Sequence, residues 1–143
     1  MTPEDMATLH AAAFVGSGRV WSAAEFADLL TSAHVFAIGN ADAFVVGRVI
    51  ADEAEILTLA THPRCQRMGF GQRVLADFER QAVARGAARA FLEVAAQNTD
   101  AIALYRRAGY IEAGRRAGYY ALPGGGFCDA IVMAKLYEAR WVQ

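Results

Sequence analysis

A chain of 143 residues, 55% hydrophobic and 20% charged, carries enough apolar material for one globular domain with a real core. Its net charge of −1 excludes general nucleic-acid binding, which needs a basic face to neutralise phosphates. No apolar run reaches the roughly 18 to 20 residues of a membrane span, and the acidic, polar start MTPEDMATLH is not a signal peptide. A cytoplasmic protein forming one domain over residues 1–143 is expected. Cys65 and Cys128 lie far apart and are expected to be free thiols. No cluster of His, Cys, Asp and Glu has ligand spacing, so no metal is implied.

Thr2-Pro3-Glu4-Asp5 reads as a helix start: a Thr cap, Pro at the first helical position, then acids over the positive end. It predicts a helix over about 3–14 with Met6, Leu9, Ala13 and Phe14 inward. Ser22 caps a second helix, with Glu25 completing a capping box and Phe26, Leu29 and Leu30 as its apolar face. Strands at 34–39 and 43–50 flank a hairpin turn. A third strand at 54–61 is nearly all apolar at Ile56, Leu57, Leu59 and Ala60, so burial on both faces is expected. His62-Pro63 stops it. A helix over about 70–85 follows, striped by Val74, Leu75, Phe78, Ala82 and Val83 and closed by Gly86. Then come a central strand (88–95), a short helix capped by Thr99 or Asp100 and ended by Gly109, and two strands at 110–120 and 128–136. The loop ALPGGGF between these strands, with glycines in 123–127, is expected to be mobile. The order α α β β β α β α β β predicts a mixed α/β sheet with helices on both faces, and a right-handed parallel crossover through 54–95.

The stretch RCQRMGFGQRVL (64–75) places Gly69 and Gly71 at the mouth of the third helix. A helix N-terminus exposes unpaired N–H groups and about half a positive charge. Glycines let a ligand reach that backbone, which suits a phosphate or pyrophosphate. Arg64, Arg67 and Arg73 add charge at the rim. The stretch is neither a P-loop nor a dinucleotide fingerprint, and glycines serving only turn geometry would look the same.

Gln66-x-x-Gly69-x-Gly71 resembles the acetyl-CoA signature R/Q-x-x-G-x-G/A of the GNAT superfamily of N-acetyltransferases. FLEVAAQNTDAIALYRRAGY (91–110) is similar to the L-E-V-x-x-x-N-x-x-A-x-x-L-Y-x-x-x-G-F/Y segment of the RimI-type members. WSAAEF (21–26), GYY (118–120) and DAIVMA (129–134) resemble their W-S-x-x-x-F, N-Y-Y and D-A-I-x-M-A. The resemblance covers almost the whole chain. It departs at Thr61-His62-Pro63, where the family has V-D-P, at Gly118, where it has Asn, and at the start, where the family places a strand before the first helix.

The resemblance implies a GNAT-like fold: a mixed, mostly antiparallel sheet of about six strands, with four helices on its two faces. It implies acetyl-CoA as co-substrate, with the CoA pyrophosphate held by the backbone of Arg67, Met68, Gly69, Phe70, Gly71 and Gln72. Leu59, Ala60 and Thr61, splayed from the fourth strand, would offer main-chain groups to the pantetheine arm and the oxyanion. Asn98 would contact CoA, or act simply as a turn or cap residue.

The implied acceptor is the N-terminal alanine of a small-subunit ribosomal protein, met by a monomer without nucleic acid, metal or membrane. The alternative is another protein N-terminus, a lysine or a small-molecule amine. An α-amine, with a pKa of roughly 7.7 to 8.0, loses its proton far more easily than a lysine near 10.4, so one carboxylate suffices as base. Glu93, in the apolar strand FLEVA, matches the family's proton acceptor; a paired structural acid is the competing reading. Tyr105 matches the family's proton donor, against a plain core tyrosine. Trp21, Tyr119, Tyr120 and Asp129 are assigned to the acceptor groove. Asp52, Glu53 and Glu55 could attract a basic tail, though turn roles suffice. A relay of His62 and Cys65 is not expected, and His10 and His34 carry no visible role.

Overall fold

The structure is a computed structural model that describes residues 1–14, 20–122 and 124–137. Helix α1 spans Pro3–Ala13 and α2 spans Ala23–Leu30. Both open on capping boxes: Thr2 with Asp5, and Ser22 with Glu25, satisfy one another's backbone N–H groups. Helix α1 ends one residue before the expected position, because Phe14 is its C-cap and donates its N–H to the His10 carbonyl.

Three strands follow as antiparallel neighbours: β1 (Val35–Gly39), β2 (Ala43–Ile50) and β3 (Glu53–Thr61). After a 3-10 turn at Pro63–Cys65 come α3 (Phe70–Ala84), β4 (Arg89–Ala95), α4 (Thr99–Arg107), β5 (Ile111–Ala121) and β6 (Phe127–Leu136). The sheet order is β1-β2-β3-β4-β6-β5, and only β3–β4 is parallel. Element order, six mostly antiparallel strands and four helices agree with the sequence reading. One cap differs: that of α4 is Asn98, whose Oδ1 accepts the Ala101 N–H at 3.3 Å, not Thr99 or Asp100. In the loop expected to be mobile, the Leu122 N–H reaches the Gly126 carbonyl, and Pro123 lies outside the described residues.

The third strand is not evenly buried on both faces. It alternates buried and half-buried residues, and a register shift opposite Val46 and Gly47 skips Leu57. Such a bulge reverses which face the following side chains meet. Ala54 and Ile56 therefore join the core under α3, whereas Ala60 joins the core under α1 and α2. Thr58, also past the bulge, meets His10 of α1.

Each face of the sheet has its own core. On one, Phe78 and Leu75 of α3 pack on Val45, Ile56 and Leu92, with Tyr105 of α4 and Tyr110 included. On the other, Met6, Leu9 and Phe26 pack on Phe44, Val46 and Ala60. Burying a side chain of this size fully is worth roughly 1.5–3 kcal/mol.

Candidate active site

The β3–β4 ladder runs only from Glu53↔Arg89 to Ile56↔Leu92. Past that rung β3 stays with β2 and β4 stays with β6. The two strands diverge, so Leu59, Ala60 and Thr61 have no β4 partner on their other side. A cleft of about 830 Å³ opens there, within the size range of small-ligand sites. Its walls come from both faces of the sheet: Phe14 at the end of α1, and Gln72 and Leu104 of α3 and α4.

The α3 N-terminus faces this cleft through Gly69, Gly71 and Gln72, with Arg67 beside them. The two glycines have different causes. Gly69 is the N-cap in a left-handed conformation (φ +84°) and provides no side-chain cap. Gly71 has ordinary φ, but a Cβ there would lie 3.2 Å from Leu104 Cδ1 and 3.3 Å from Thr61 Oγ1. The first allows the turn; the second lets the helix start pack against β3 and α4. Arg67 also has a positive φ of 64°, so the basic residue before Gly69 is part of the same tight loop. With no side-chain cap, the first-turn N–H groups remain available to an anion.

Of the residues assigned from sequence to the cofactor, Leu59, Ala60, Thr61, Arg67, Gly69, Gly71, Gln72 and Asn98 line this cleft. Met68 is 62% exposed, and Phe70 carries the Arg73 guanidinium 5.4 Å over its ring; neither lines the wall. Asn98 both caps α4 and borders the cleft. Sequence reasoning missed Asp100, Ala103, Leu104 and Arg107 as wall residues. Their spacing puts them on one face of α4, the signal that could have found them.

Glu93 and Tyr105 do not line the cleft, and they lie on opposite faces of the sheet. Tyr105 is 5% exposed and stacks edge-on to Tyr110 at 5.8 Å. Burial alone pushes its hydroxyl well above the ordinary tyrosine value, so it is a neutral donor at physiological pH. Leu92 and Val94 face α3, so Glu93 faces the other side, opposite Val132 of β6. There its carboxylate meets the Arg116 guanidinium at 3.1 Å.

Two of the residues assigned to the acceptor groove, Tyr119 and Tyr120, gather around Glu93 and its partner Arg116. Arg116 stands 5.2 Å over the Tyr119 ring, and Tyr119 meets Tyr120 edge-on at 5.1 Å. Burial, and then the Glu93 charge, raise the Tyr120 hydroxyl. Asp129 braces this corner by accepting the Gly118 N–H at 3.0 Å and an Arg115 N–H at 3.2 Å; the Gly118 hydrogen bond is the main reason its pKa is lowered. Trp21 lies apart from them, in an aromatic stack with His10 and Phe26.

His10 thus has a structural place that the sequence did not reveal. It is 1% exposed. Its Nδ1 accepts the Trp21 main-chain N–H at 3.3 Å and its Nε2 lies 3.1 Å from Thr58 Oγ1. The acids of the β2–β3 turn are engaged in ion pairs: Asp52 and Glu53 with Arg89, and Glu55 with Arg48. His62 caps the 3-10 turn through the Arg64 N–H. The Cys65 thiol points to Asp42, and burial followed by that charge raises its pKa, the opposite of an activated nucleophile. Among the described residues no group of three or more His, Cys, Asp or Glu could hold a metal. No helix among them is long and apolar enough to cross a membrane.

Comparison with known proteins follows the same lines. Residues 6–110 match the Acetyltransferase (GNAT) family. The [Ribosomal protein bS18]-alanine N-acetyltransferase of Escherichia coli K12 is 41% identical over 96 residues, which is 67% of this chain and 64% of that enzyme. The chain's alignment thus spans just under two thirds of that relative's length. The N-alpha-acetyltransferase RimI of Mycobacterium tuberculosis is 34% identical over 141 residues, covering 90% of this chain and 83% of that protein. The crystal structure of the Escherichia coli ribosomal-protein-S18-alanine N-acetyltransferase superposes with a TM-score of 0.82 at 32% identity, over 94% of this chain and 86% of that one. The match to the family over residues 6–110 and the likeness in overall fold agree, and the chain belongs to the Acetyltransferase (GNAT) family.

Proposed function

We propose that this chain is a single-domain, acetyl-CoA-dependent N-acetyltransferase that acetylates the N-terminal alanine of a small-subunit ribosomal protein. The observation that carries the reading is the cleft where β3 leaves β4, with an uncapped helix start at its wall. The name of the Escherichia coli relative supports the ribosomal alanine acceptor, and that of the Mycobacterium tuberculosis relative supports an α-amine.

The chain's own groups divide the work. First-turn N–H groups of α3, with Arg67 at the rim, bind the pyrophosphate. The β4-side main chain of Leu59 to Thr61 holds the pantetheine arm and an oxyanion. Bound acetyl-CoA supplies the thioester carbonyl. Glu93 takes the proton that the attacking α-amine must lose, and Tyr105 returns one to the departing sulfur. Glu93 lies on one face of the sheet and Tyr105 on the other, and residues from both faces line the cleft. Tyr119 and Tyr120 border the acceptor, and Asp129 holds the β5–β6 corner in shape. No metal is needed for this chemistry.

The test is release of CoA thiol from acetyl-CoA with a hexapeptide bearing a free N-terminal alanine. The same peptide with its α-amine blocked is the control. Turnover of the free peptide alone supports the reading. Turnover of neither, with acetyl-CoA bound, removes the acceptor assignment.

A further inference from the structure

We propose that Arg116 is a gate on Glu93, closed in the free protein and opened by the cationic amine of the acceptor. This rests on the reading of Glu93 as the base.

In the described structure Arg116 Nη2 lies 3.1 Å from Glu93 Oε1, with side chains 57% and 23% exposed. The Glu93 carboxylate, with 23% of its side chain exposed, already holds a cation at Oε1. In the proposed exchange the acceptor ammonium takes the place of Arg116. The guanidinium can leave. The pair is largely exposed on one side, so it is weak, and β5 is an edge strand whose residues are mostly exposed. It also has a second hold: while paired with Glu93 it already stands 5.2 Å over the Tyr119 ring, an aromatic contact that does not depend on the carboxylate.

The register permits this geometry. Arg116 pairs with Ala130 and Gly114 with Val132, while Glu93 pairs with Val132. Arg116 and Glu93 thus share one face, diagonal across β6. Gly114, on the row of Glu93, puts no side chain between them. After the exchange the ammonium gives one proton to Glu93, and the guanidinium keeps all of its own. An uncharged or α-blocked tail has no cation to exchange with Arg116, so removal of Arg116 leaves its binding unchanged.

The experiment compares wild type, Arg116→Gln and Arg116→Lys by calorimetry of the free-alanine hexapeptide with CoA present, and by steady-state kinetics. Arg116→Gln is expected to tighten peptide binding by about two- to fivefold, the range set by an exposed ion pair. The change should fall on the peptide KM rather than on kcat, vanish on a Glu93→Gln background, and be absent for the α-blocked peptide. Arg116→Lys, which keeps the cation, should stay near wild type. Unchanged or weaker peptide binding by Arg116→Gln overturns the gate, as does equal tightening for the blocked peptide or failure of the free peptide to bind either protein. Wild-type turnover by Glu93→Gln instead overturns the underlying reading of the base.

Discussion

Ile56 and Leu92 form the last rung of the parallel β3–β4 ladder, and the cleft begins where that rung ends. The bulge that skips Leu57 sits next to the same rung. One irregularity therefore turns the end of β3 toward α1 as the strand parts from β4. The α3 start closes the cleft from the far side, with Gly71 against Thr61 and Leu104.

That contact makes Gly71 the most sensitive position of the loop. A Cβ there must push the Thr61 hydroxyl or the Leu104 side chain, and overpacking of this kind costs about 1–3 kcal/mol. Gly71→Ala is expected to lower Tm and weaken acetyl-CoA binding together. Gly69→Ala meets no atom within 4 Å and should lose only the roughly 1–2 kcal/mol of left-handed backbone strain. Thermal denaturation with and without acetyl-CoA measures both. A wild-type response from Gly71→Ala would contradict the packing argument.

Glu93→Gln keeps the shape and removes the base. Turnover is expected to fall by about 10²–10⁴, with acetyl-CoA affinity unchanged, because Glu93 lies outside the cleft lining. Stopped-assay rates and calorimetry separate the two. Wild-type turnover would leave Glu93 only its ion pair with Arg116.

Tyr105→Phe removes a hydroxyl and little packing. If the hydroxyl protonates the leaving sulfur, kcat should drop by about 10² or more; a wild-type rate would return Tyr105 to the core. Its pH behaviour has a definite sign. The folded pKa is raised above the unfolded one by burial. Its stabilising effect is therefore complete below the unfolded value of about 10 and fades as pH rises beyond it. Tyr110 is raised in the same direction, chiefly by burial. Stability should stay level through neutral pH with respect to these groups and fall above about pH 10, less steeply in Tyr105→Phe. Urea titrations from pH 7 to 11 test this.

Away from the cleft, Glu79 of α3 is 4% exposed. It accepts from Lys135 at 2.9 Å and from the Tyr110 hydroxyl at 2.8 Å. Lys135 is the chain's only lysine. Lys135→Met leaves a carboxylate buried without this cation, which costs about 3–5 kcal/mol. Adding Glu79→Leu should restore much of it. Urea unfolding measures both, and a single variant of wild-type stability would show the pair to be dispensable.

Element order and type were legible because each element carries its own local signal. Thr2 and Ser22 announce capping boxes, and Val74, Leu75 and Phe78 recur at helical spacing. The glycine loop and the residues resembling a known family pointed to one wall of the cleft. What escaped depends on neighbours distant in sequence. The bulge at Leu57 appears only when β2 pairs with β3. The burial of His10 depends on Thr58 and Trp21 arriving beside it. The Glu93–Arg116 pair needs β4, β6 and β5 in register. Asn98 was seen as a candidate cofactor contact or cap, but the α4 cap was assigned to Thr99 or Asp100, since all three are capping types and only the geometry chooses.

The most direct test of the central claim is to locate the acetyl group. A peptide with a free N-terminal alanine and an internal lysine is incubated with the protein and acetyl-CoA, and the product is mapped by mass spectrometry. The account predicts one acetyl group, on the alanine α-nitrogen. Acetyl on the lysine side chain, or an unmodified peptide beside a protein that binds acetyl-CoA, would contradict it.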